Sequence, residues 1–401
     1  MMLAVQYLEP SPDVVTLTGA DVRTRLQAAC ERLPIAWVIL GWDLPHELIE
    51  ACAQATIRAN AQLYLWHPLL TGHGTFDPRS EWQTIGLSGE PVPGHNGLPE
   101  FTFICPNRSA ASEAILEHVR RVVRHSPYQG MFLDRIRYPS PTDDPDRFLA
   151  CFCSECHRAA TTQGFDLAAA QHKIQSILSS PDRLRSFVQV LFDPTAEATS
   201  DDDLALLRKF LDFRMNSITR IVQAAASVAR GEGLAVGLDC FSPALTYLVG
   251  QDLAALNLHC DWIKIMTYGH ALGPAGLPYE FRALAKWLIN RGTVTEAEAL
   301  RWLSHAAHLP LPASLDALDE RGLSSEALSK ETQRARADVG TLLAGIELVD
   351  LEGVTRLNPT QIIADLRAFR EAMPDGLLLS WDLWRILSDR LETVRSIWLG
   401  P

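Results

Sequence analysis

The 401-residue sequence contains no uninterrupted apolar run of membrane length, and we therefore expect no membrane partner. It also lacks a block of basic residues, and its formal net charge is −12, so nucleic acid is not expected as a partner. The first ten residues have neither the basic segment nor the long apolar segment of a secretory signal. These absences predict a cytoplasmic protein whose eight cysteines are reduced thiols or metal ligands.

No Gly-rich phosphate-binding fingerprint follows the first apolar run, Ala4 to Leu8, which argues against an open doubly wound sheet. Eight short apolar runs instead alternate with segments of helical periodicity. This alternation indicates parallel strands, and eight units favour closure into a (β/α)8 TIM barrel, which is an α/β fold. The seven later runs begin at Trp37, Leu63, Met131, Leu234, Trp262, Leu342 and Gly376.

We expect residues 1–401 to form this single barrel domain with three additions. The first is a long third βα loop at 68–105, rich in Gly, Pro and His. Loops of this length are usually functional or disordered, and Trp66, His67 and Trp82 favour a loop that forms the wall of a pocket. The second is an extension at 140–203 that carries a cysteine cluster and helices. The third is a helical insertion at 269–338.

Nearly every predicted strand ends in a carboxylate, an aromatic residue, or both. In this class of barrel the active site lies at the C-terminal ends of the strands. Carboxylates can act as acid, base or nucleophile, and aromatic rings stack on the apolar faces of sugars, so the combination suits glycoside hydrolysis. The strand-end residues are Glu9, Trp42, Asp43, Trp66, His67, Asp134, Arg135, Arg137, Asp239, Tyr268, Glu347, Trp381, Asp382 and Trp384.

Three of these carboxylates, Asp134, Asp239 and Glu347, are the candidate catalytic residues. Asp134 ends an apolar run and is followed by arginines, which is costly at the rim of a core unless the charges pair or do chemistry. Glu347 alternates with Ile346 and Leu348, so it should point into the barrel if those two face the outer helices. Asp239 has an alternative role in holding the turn that follows it.

Most of the candidate substrate-binding residues also lie at strand ends. Two of them have structural alternatives, since Glu280 could serve a helix N-terminus and Trp381 could belong to the core. The strand-end residue Asp43 could be a helix N-cap. A catalytic metal would require several histidines at strand ends, and only His67 lies at one, so a lyase or a metal-dependent hydrolase ranks below a glycosidase. The full set is Trp66, His67, Arg135, Arg137, Tyr268, Glu280, Trp381 and Asp382.

Four cysteines form a candidate metal site. Cys151, Cys153 and Cys156 share a Cys-x-Cys-x-x-Cys segment after the fourth run, and Cys105 precedes the helix before that run. Thiolates grouped in this way suit tetrahedral zinc, so we expect a structural Zn2+ that staples the loop after strand 4. The alternative is a set of buried thiols on a loop without a metal.

The same residues carry a resemblance to a known family. Cys105-Pro-Asn-Arg before a helix, then a strand, then Cys-x-Cys-x-x-Cys, resembles the arrangement in glycoside hydrolase family 42 β-galactosidases. The resemblance implies a catalytic barrel beside a structural zinc held by Cys105, Cys151, Cys153 and Cys156. The long loop before Cys105 is also similar in style.

A second resemblance is to barrel glycoside hydrolases of uncharacterised families. Their fourth strand is similar to Phe132-Leu-Asp134-x-x-Arg137-Tyr-Pro139, and a Cys-Phe-Cys element like the one at Cys151 follows it. Their sixth strand resembles Ile265-Met-Thr-Tyr268.

The fourth strand departs from the family 42 pattern. Those enzymes place Asn-Glu there, with the Glu as acid/base, and a nucleophilic Glu after strand seven, whereas this chain has Asp134-Arg135 and Glu347. The resemblance implies hydrolysis of a small or oligomeric carbohydrate, with Glu347 as nucleophile and Asp134 as acid/base, or with Asp134 as the ionised carboxylate and Glu347 or Asp239 as acid. A non-catalytic carbohydrate-binding barrel is the alternative, and a homo-oligomer is compatible with both.

Overall fold

Eight parallel strands form a closed barrel in chain order, which confirms the predicted TIM barrel. The computed structural model describes residues 2–124, 126–142, 145–193, 202–292 and 294–400, apart from the side chains of residues 202 and 203. The strands are β1 Met2–Tyr7, β2 Ile35–Leu40, β3 Gln62–Pro68, β4 Gly130–Asp134, β5 Ala235–Phe241, β6 Trp262–Met266, β7 Leu342–Glu347 and β8 Gly376–Ser380.

Helices surround the barrel, and several begin where the sequence provides a cap. Thr18 with Asp21, and Thr295 with Glu298, form reciprocal capping boxes at two helix starts. The helices are α1 Gly19–Arg32, α2 His46–Arg58, α3 Ser109–Val123, α4 Pro145–Phe148, α5 Ser154–Thr162, α6 Leu167–Leu178, α7 Leu184–Phe192, α8 Asp202–Gly231, α9 Pro243–Val249, α10 Leu253–Asn257, α11 Leu277–Arg291, α12 Glu296–Ala307, α13 Leu315–Arg321, α14 Ser325–Asp338, α15 Pro359–Ala372 and α16 Ser388–Val394. Short 3-10 turns lie at Val14–Thr16, Ser80–Trp82, His95–Gly97, Pro99–Phe101 and Pro181–Arg183, and a π-helical turn lies at Arg395–Leu399.

Strand alternation separates two buried cores. One side of each strand packs against the helices, and the other faces the barrel interior. Gly237 makes room for an interior ring, since a Cβ there would lie 2.2 Å from Cζ2 of Trp262. Gly345 makes room for Lys264, since a Cβ there would lie 2.5 Å from its Cε. The interior apolar residues are Ala4, Ile39, Trp42, Tyr64, Trp66, Phe132, Trp262, Leu343 and Leu378.

The three predicted additions correspond to long connections in the barrel. Residues 69–108 between β3 and α3 contain 3-10 turns and isolated bridges, including Thr71 with Phe103. Helices α4 to α8 separate β4 from β5, and α11 to α14 separate β6 from β7. Residues 143, 144 and 194–201 of the predicted extension, residue 293 of the predicted insertion, and residues 1, 125 and 401 of the predicted domain lie outside the described residues.

None of the helices within the described residues is both long enough and apolar enough to cross a bilayer.

Candidate active site and cysteine cluster

The C-terminal ends of the strands bring a group of polar side chains together, and we call this group the barrel mouth. Tyr268 interacts electrostatically with Asp134, Asp239 and Glu347, and Glu9 interacts with Asp134 and Asp382. The group contains the three predicted catalytic carboxylates, and its parallel strands explain why residues far apart in sequence meet there. The barrel mouth consists of Glu9, Asp134, Asp239, Lys264, Tyr268, Glu347 and Asp382.

Asp239 and Lys264 form a buried ion pair at the centre of the barrel mouth. The Lys264 Nζ donates to Asp239 Oδ2 at 2.9 Å and to the Tyr268 hydroxyl at 2.6 Å. Burial raises the pKa of Asp239 to about 7, although Lys264 acts in the opposite direction. The other oxygen of Asp239 is buried and makes no hydrogen bond to any residue in the described ranges, so it is an acceptor that these residues leave unused.

Asp134 ends β4 with both carboxylate oxygens engaged. The indole Nε1 of Trp66 donates to Oδ2 at 2.9 Å, and the backbone N–H of Arg135 donates to Oδ1. Trp66 belongs to the barrel interior, so its position on β3 brings the indole to the carboxylate. Asp134 is only partly buried, and it is therefore among the accessible carboxylates of the barrel mouth.

Glu347 is almost fully buried at the end of β7. Its neighbours Ile346 and Leu348 pack against the outer helices, which is the condition under which alternation directs Glu347 into the barrel. The backbone N–H of His270 donates to Glu347 Oε1 at 2.6 Å. Burial raises the pKa of Glu347 to about 7, while the nearby His270 lowers it.

His270 is itself held by a carboxylate. Its Nε2 lies 2.8 Å from Asp365 Oδ2, and the Ser325 hydroxyl donates to the other oxygen of Asp365. Burial opposes the charged imidazolium, but the hydrogen bond to Asp365 and the charges of Glu347 and Asp365 outweigh it and raise the pKa of His270 to about 9. His270 therefore places a positive charge next to Glu347.

The β1 and β8 ends complete the barrel mouth. Asp382 Oδ1 accepts from the backbone N–H groups of Leu8 and Trp384, at 2.8 and 2.9 Å. Burial raises the pKa of Glu9 to about 7, and the Arg135 charge lowers it. Trp381 packs edge-on against Tyr268, with ring centroids 5.3 Å apart, and remains partly exposed.

The two predicted arginines lie on aromatic rings. Arg135 lies over Trp42 and Phe101, and its Nη1 donates to the carbonyl oxygen of Glu100 at 2.7 Å. Arg137 lies between the rings of Phe103 and Phe241, 4.3 and 4.7 Å from their centroids. Both guanidinium groups therefore pack into the wall of the barrel mouth.

Glu280 lies on α11 and is fully buried. Its two oxygens accept from the backbone N–H groups of Thr142 and Ala275, both at 2.9 Å. Burial raises the pKa of Glu280 to about 7, and these N–H donors and Arg137 act in the opposite direction. The carboxylate thus connects the loop after β4 to the start of α11.

His67 and Asp43 lie on a different side of β3 from the barrel mouth. His67 packs beside His73 and His118, with ring centroids 4.9 and 5.4 Å away. Asp43 is not a helix cap, because Pro45 occupies the N-cap position of α2, and its carboxylate instead contacts His73 and Thr75. Two histidines that do not lie at strand ends, His73 in the loop after β3 and His118 on α3, therefore group with His67.

Most side chains of the barrel mouth are shielded from solvent. The exposed fractions are 3% for Asp239, 1% for Tyr268 and 2% for Glu347. Glu9, Asp134 and Trp381 are partly exposed, so solvent reaches the barrel mouth at the ends of β1, β4 and β8. A ligand that reached Asp239 or Glu347 would require the surrounding loops to move.

Two groups of this site were not selected from the sequence. Lys264 lies in an apolar strand, at a position where alternation directs the side chain into the barrel. The sequence therefore contained a signal from which Lys264 could have been selected. Glu9 was recognised as a strand end but not as a site residue. The pairing of His270 with Asp365 had no sequence signal, because the two residues come from separate elements.

The four cysteines form a buried cluster beside β4, with one sulfur of each residue within 4.8 Å of the others. Cys105 Sγ lies 3.6 Å from Cys153 Sγ and 3.4 Å from Cys156 Sγ. Hydrogen bonds from neighbouring thiols lower the pKa of Cys153, and burial raises that of Cys105.

Nitrogen donors from the protein also point at this cysteine cluster. The backbone N–H of Ile85 donates to Cys151 Sγ at 3.2 Å, and Asn107 Nδ2 donates to Cys156 Sγ at 3.3 Å. Asn107 is held in place by Arg220, whose Nη2 donates to its Oδ1 at 2.6 Å. Donors in these positions would support thiolate ligands of a metal ion.

No family model matches the chain, and no curated protein matches it by sequence. Among solved structures, the PgaB (BpsB) glycoside hydrolase domain from Bordetella bronchiseptica matches with a TM-score of 0.53 at 13% identity, over 99% of this chain and 98% of that chain. Gan42B, a GH42 β-galactosidase from G. stearothermophilus, matches with a TM-score of 0.53 at 9% identity, over 100% of this chain and 56% of that one. The cold-adapted β-galactosidase from Rahnella sp. R3 matches with a TM-score of 0.51 at 10% identity, over 98% of this chain and 55% of that chain.

These comparisons establish the architecture. The chain is a (β/α)8 barrel that is structurally similar to glycoside hydrolases, and at such low identity the likeness shows the fold alone. The chain spans about half the length of the two β-galactosidase chains.

Proposed function

We propose that this protein is a glycoside hydrolase that acts on a small or oligomeric carbohydrate at the barrel mouth. The observation that carries the proposal is the presence there of carboxylates in two kinds of environment. Asp134 accepts hydrogen bonds on both oxygens, whereas burial raises the pKa of Glu9, Asp239 and Glu347 to about 7. Glycosidases use one carboxylic acid and one carboxylate, and contrasting environments are how proteins separate those roles.

In this proposal Asp134 is the ionised carboxylate that faces the anomeric carbon. Its partner must be protonated at the start of the reaction and must be able to reach the glycosidic oxygen. Glu347 and Asp239 have raised pKa values but are buried, and Glu9 has a raised pKa and partial exposure. Glu9 therefore joins Glu347 and Asp239 as a candidate acid.

Aromatic and polar side chains around the carboxylates suit a sugar ligand. Trp381 offers a partly exposed indole face beside Tyr268, and we assign it as a stacking platform for a sugar ring. Trp66 fixes Asp134 through its indole N–H, and Asp382 is fixed by two backbone donors. Arg135 supplies positive charge beside Glu9 and would attract an acidic sugar.

We further propose that the cysteine cluster binds a structural Zn2+. A tetrahedron with zinc–sulfur bonds of about 2.3 Å has edges of about 3.8 Å, close to the sulfur separations of 3.4 and 3.6 Å at Cys105. The N–H groups of Ile85 and Asn107 would neutralise part of the thiolate charge. The ion would fasten the loop before α3 to the segment after β4.

A second candidate function is carbohydrate binding without hydrolysis. The observation that favours it is the near-complete burial of Asp239 and Glu347, which leaves no open path to these two carboxylates in this conformation. A binding barrel would use Trp381 and the arginines and would need no acid.

The proposal can be tested with a panel of aryl glycosides that includes aryl β-galactosides and aryl uronides. We expect wild-type turnover, loss of at least about a hundredfold in kcat in Asp134→Asn, and a comparable loss in one of Glu9→Gln, Asp239→Asn and Glu347→Gln. Because the acid must be protonated, kcat/KM should fall as pH rises through about 7. Glu232→Gln, which changes an exposed carboxylate just before β5 at the other end of the barrel, is the matched control.

The panel also separates the two candidate functions. Wild-type protein that hydrolyses no substrate but binds oligosaccharides in calorimetry, with binding lost in Trp381→Ala, would be a carbohydrate-binding barrel. Wild-type protein that neither hydrolyses nor binds any sugar in the panel contradicts both functions.

A further inference from the structure

Three histidines from three separate elements meet on the outer side of β3, and we call them the histidine cluster. His67 is on β3, His73 is in the loop that follows, and His118 is on α3. All three are buried, and one nitrogen of each lies within 4.8 Å of those of the others. Their ring centroids are 4.9 to 5.4 Å apart.

Strand parity and one glycine explain how this cluster assembles. Trp66 points into the barrel, so the next residue, His67, points outward to α3. The loop then turns back through a bridge between His73 and Phe76. Gly74 has a φ of 41°, and a Cβ on it would lie 1.9 Å from Asp43 Oδ2, so only glycine lets the loop lie this close to Asp43.

The hydrogen bonds orient His73 as a metal ligand would be oriented. Its Nδ1 lies 3.2 Å from Asp43 Oδ2, an arrangement that places the ring proton on Nδ1 and leaves a lone pair on Nε2. The Nε2 atoms of His73 and His118 are both buried and make no hydrogen bond to any of the described residues. Unpaired buried nitrogen atoms are costly, and a bound ion would offset that cost.

We propose that His67, His73 and His118 bind a divalent transition-metal ion of the zinc class, with Asp43 orienting His73 from behind. A cavity of about 680 Å³ between α2 and α3 reaches all three imidazoles. Three protein ligands with a remaining position open to a cavity is the arrangement of catalytic zinc sites, whereas structural sites are closed by four protein ligands. The site is separate from the barrel mouth, because Trp66 and His67 point to opposite sides of β3.

Arg121 opposes this binding in the structure as it stands. Its Nη2 donates to His118 Nδ1 at 2.6 Å, which favours the tautomer with the proton on Nε2. Coordination through Nε2 requires the ring proton to move from Nε2 to Nδ1, and Arg121 must release Nδ1 for this to happen. Arg121 is exposed on α3, so its side chain has room to move away. We therefore expect Arg121 to weaken metal binding and Asp43 to strengthen it.

The test is a titration with Co2+ of untagged, zinc-loaded protein, prepared with one zinc ion per chain so that the cysteine cluster is filled and the histidine cluster is not, followed by calorimetry and by absorption spectroscopy. We expect one equivalent of Co2+ to bind with a spectrum that lacks thiolate-to-cobalt bands, because the ligands are nitrogen atoms and the cysteines stay occupied. His73→Ala and His118→Ala should lose this binding while they keep their zinc and their circular dichroism. His305→Ala, which removes an exposed imidazole on α12, should bind as the wild type does.

Two further variants test the orientation of the ligands by opposite effects. Asp43→Asn should weaken Co2+ binding about 10- to 100-fold, as loss of an outer-shell carboxylate does. Arg121→Ala should tighten it, whereas Arg120→Ala, which removes the same charge from an outward position paired with Glu117, should not. Wild-type protein that binds no Co2+, or His73→Ala and His118→Ala proteins that bind it like the wild type, would overturn the proposal.

Discussion

The cysteine cluster and the histidine cluster lie at the two ends of α3, and the chain builds them in different ways. Cys105 comes just before α3, while His118 lies near its C-terminus. Three of the four thiols come from one six-residue segment, Cys151 to Cys156, whereas each imidazole comes from a different element. Backbone and amide N–H groups support the thiols, and a carboxylate supports the imidazoles. The first site is visible as a motif, and the second exists only in the folded chain.

The difference predicts unequal consequences for stability. The cysteine cluster should be part of folding, since structural zinc contributes its binding energy to the folded state. The histidine cluster should add stability only when metal is present, because its residues are already packed between β3 and α3. Four experiments test this contrast, and they are given in order of decreasing expected effect.

Cys156→Ser should give the largest effect. We expect loss of the bound zinc and a decrease of about 4 kcal/mol or more in the free energy of unfolding, the range typical of a lost metal site. Zinc analysis and urea unfolding measure the two quantities. Cys30→Ser, at a half-buried thiol on α1, is the control and should keep the zinc. A Cys156→Ser protein with full zinc content would remove the contrast between the two clusters.

His270 tests what a carboxylate does to an imidazole outside a metal site. Its pKa is raised from 6.5 to about 9, so its stabilisation is fully present below pH 6.5 and is lost as pH rises through about 9. The shift corresponds to about 3 kcal/mol. Unfolding experiments from pH 6 to 9.5 should show that the difference between wild type and His270→Ala shrinks across this range. A difference independent of pH would show that His270 is not charged; His305→Ala is the control.

Added metal should stabilise the wild type but not the histidine variant. With Co2+ at a hundred times its dissociation constant, the free energy of unfolding should rise by about 2.7 kcal/mol. The same addition should leave His73→Ala unchanged, and thermal unfolding of zinc-loaded protein measures both. An equal rise in the two proteins would assign the stabilisation to a site elsewhere.

Gly74→Ala should have the smallest effect on the metal-free protein, a loss of about 2 kcal/mol from its positive φ and from the clash of the new Cβ with Asp43. It should also abolish the stabilisation by Co2+, because the new Cβ displaces the Asp43 carboxylate. Gly89→Ala is the matched control, since Gly89 also has a positive φ but has open space where a Cβ would lie. If both variants keep the Co2+ effect, Asp43 does not orient His73.

The sequence predicted the features that depend on local pattern. Alternating apolar runs and helical segments gave the eight-stranded barrel, and the cysteine spacing gave the cluster beside β4. Strand-end position identified Asp134, Asp239 and Glu347 as neighbours of the barrel mouth, because parallel strands end on the same side. Their catalytic roles stay predictions.

The remaining features depend on side-chain direction and on contacts between distant elements. Trp66 and His67 were both assigned to the substrate site, although adjacent residues of a strand face opposite sides of the sheet. Strand alternation could therefore have predicted that His67 points away from Trp66. The contacts of His67 with His73 and His118 could not be predicted from the sequence, because they depend on the path of the loop after β3. The selection of Glu9 required knowing which carboxylates stay accessible.

The alternation of Trp66 and His67 along β3 has a consequence for mutation. A slip of β3 by one residue against β4 would exchange the two side chains, with an imidazole beside Asp134 and an indole against α3. A single-residue insertion or deletion within β3 would therefore disable the barrel mouth and the histidine cluster together, while every strand could still pair. Two chemically unrelated sites thus depend on the register of the same strand.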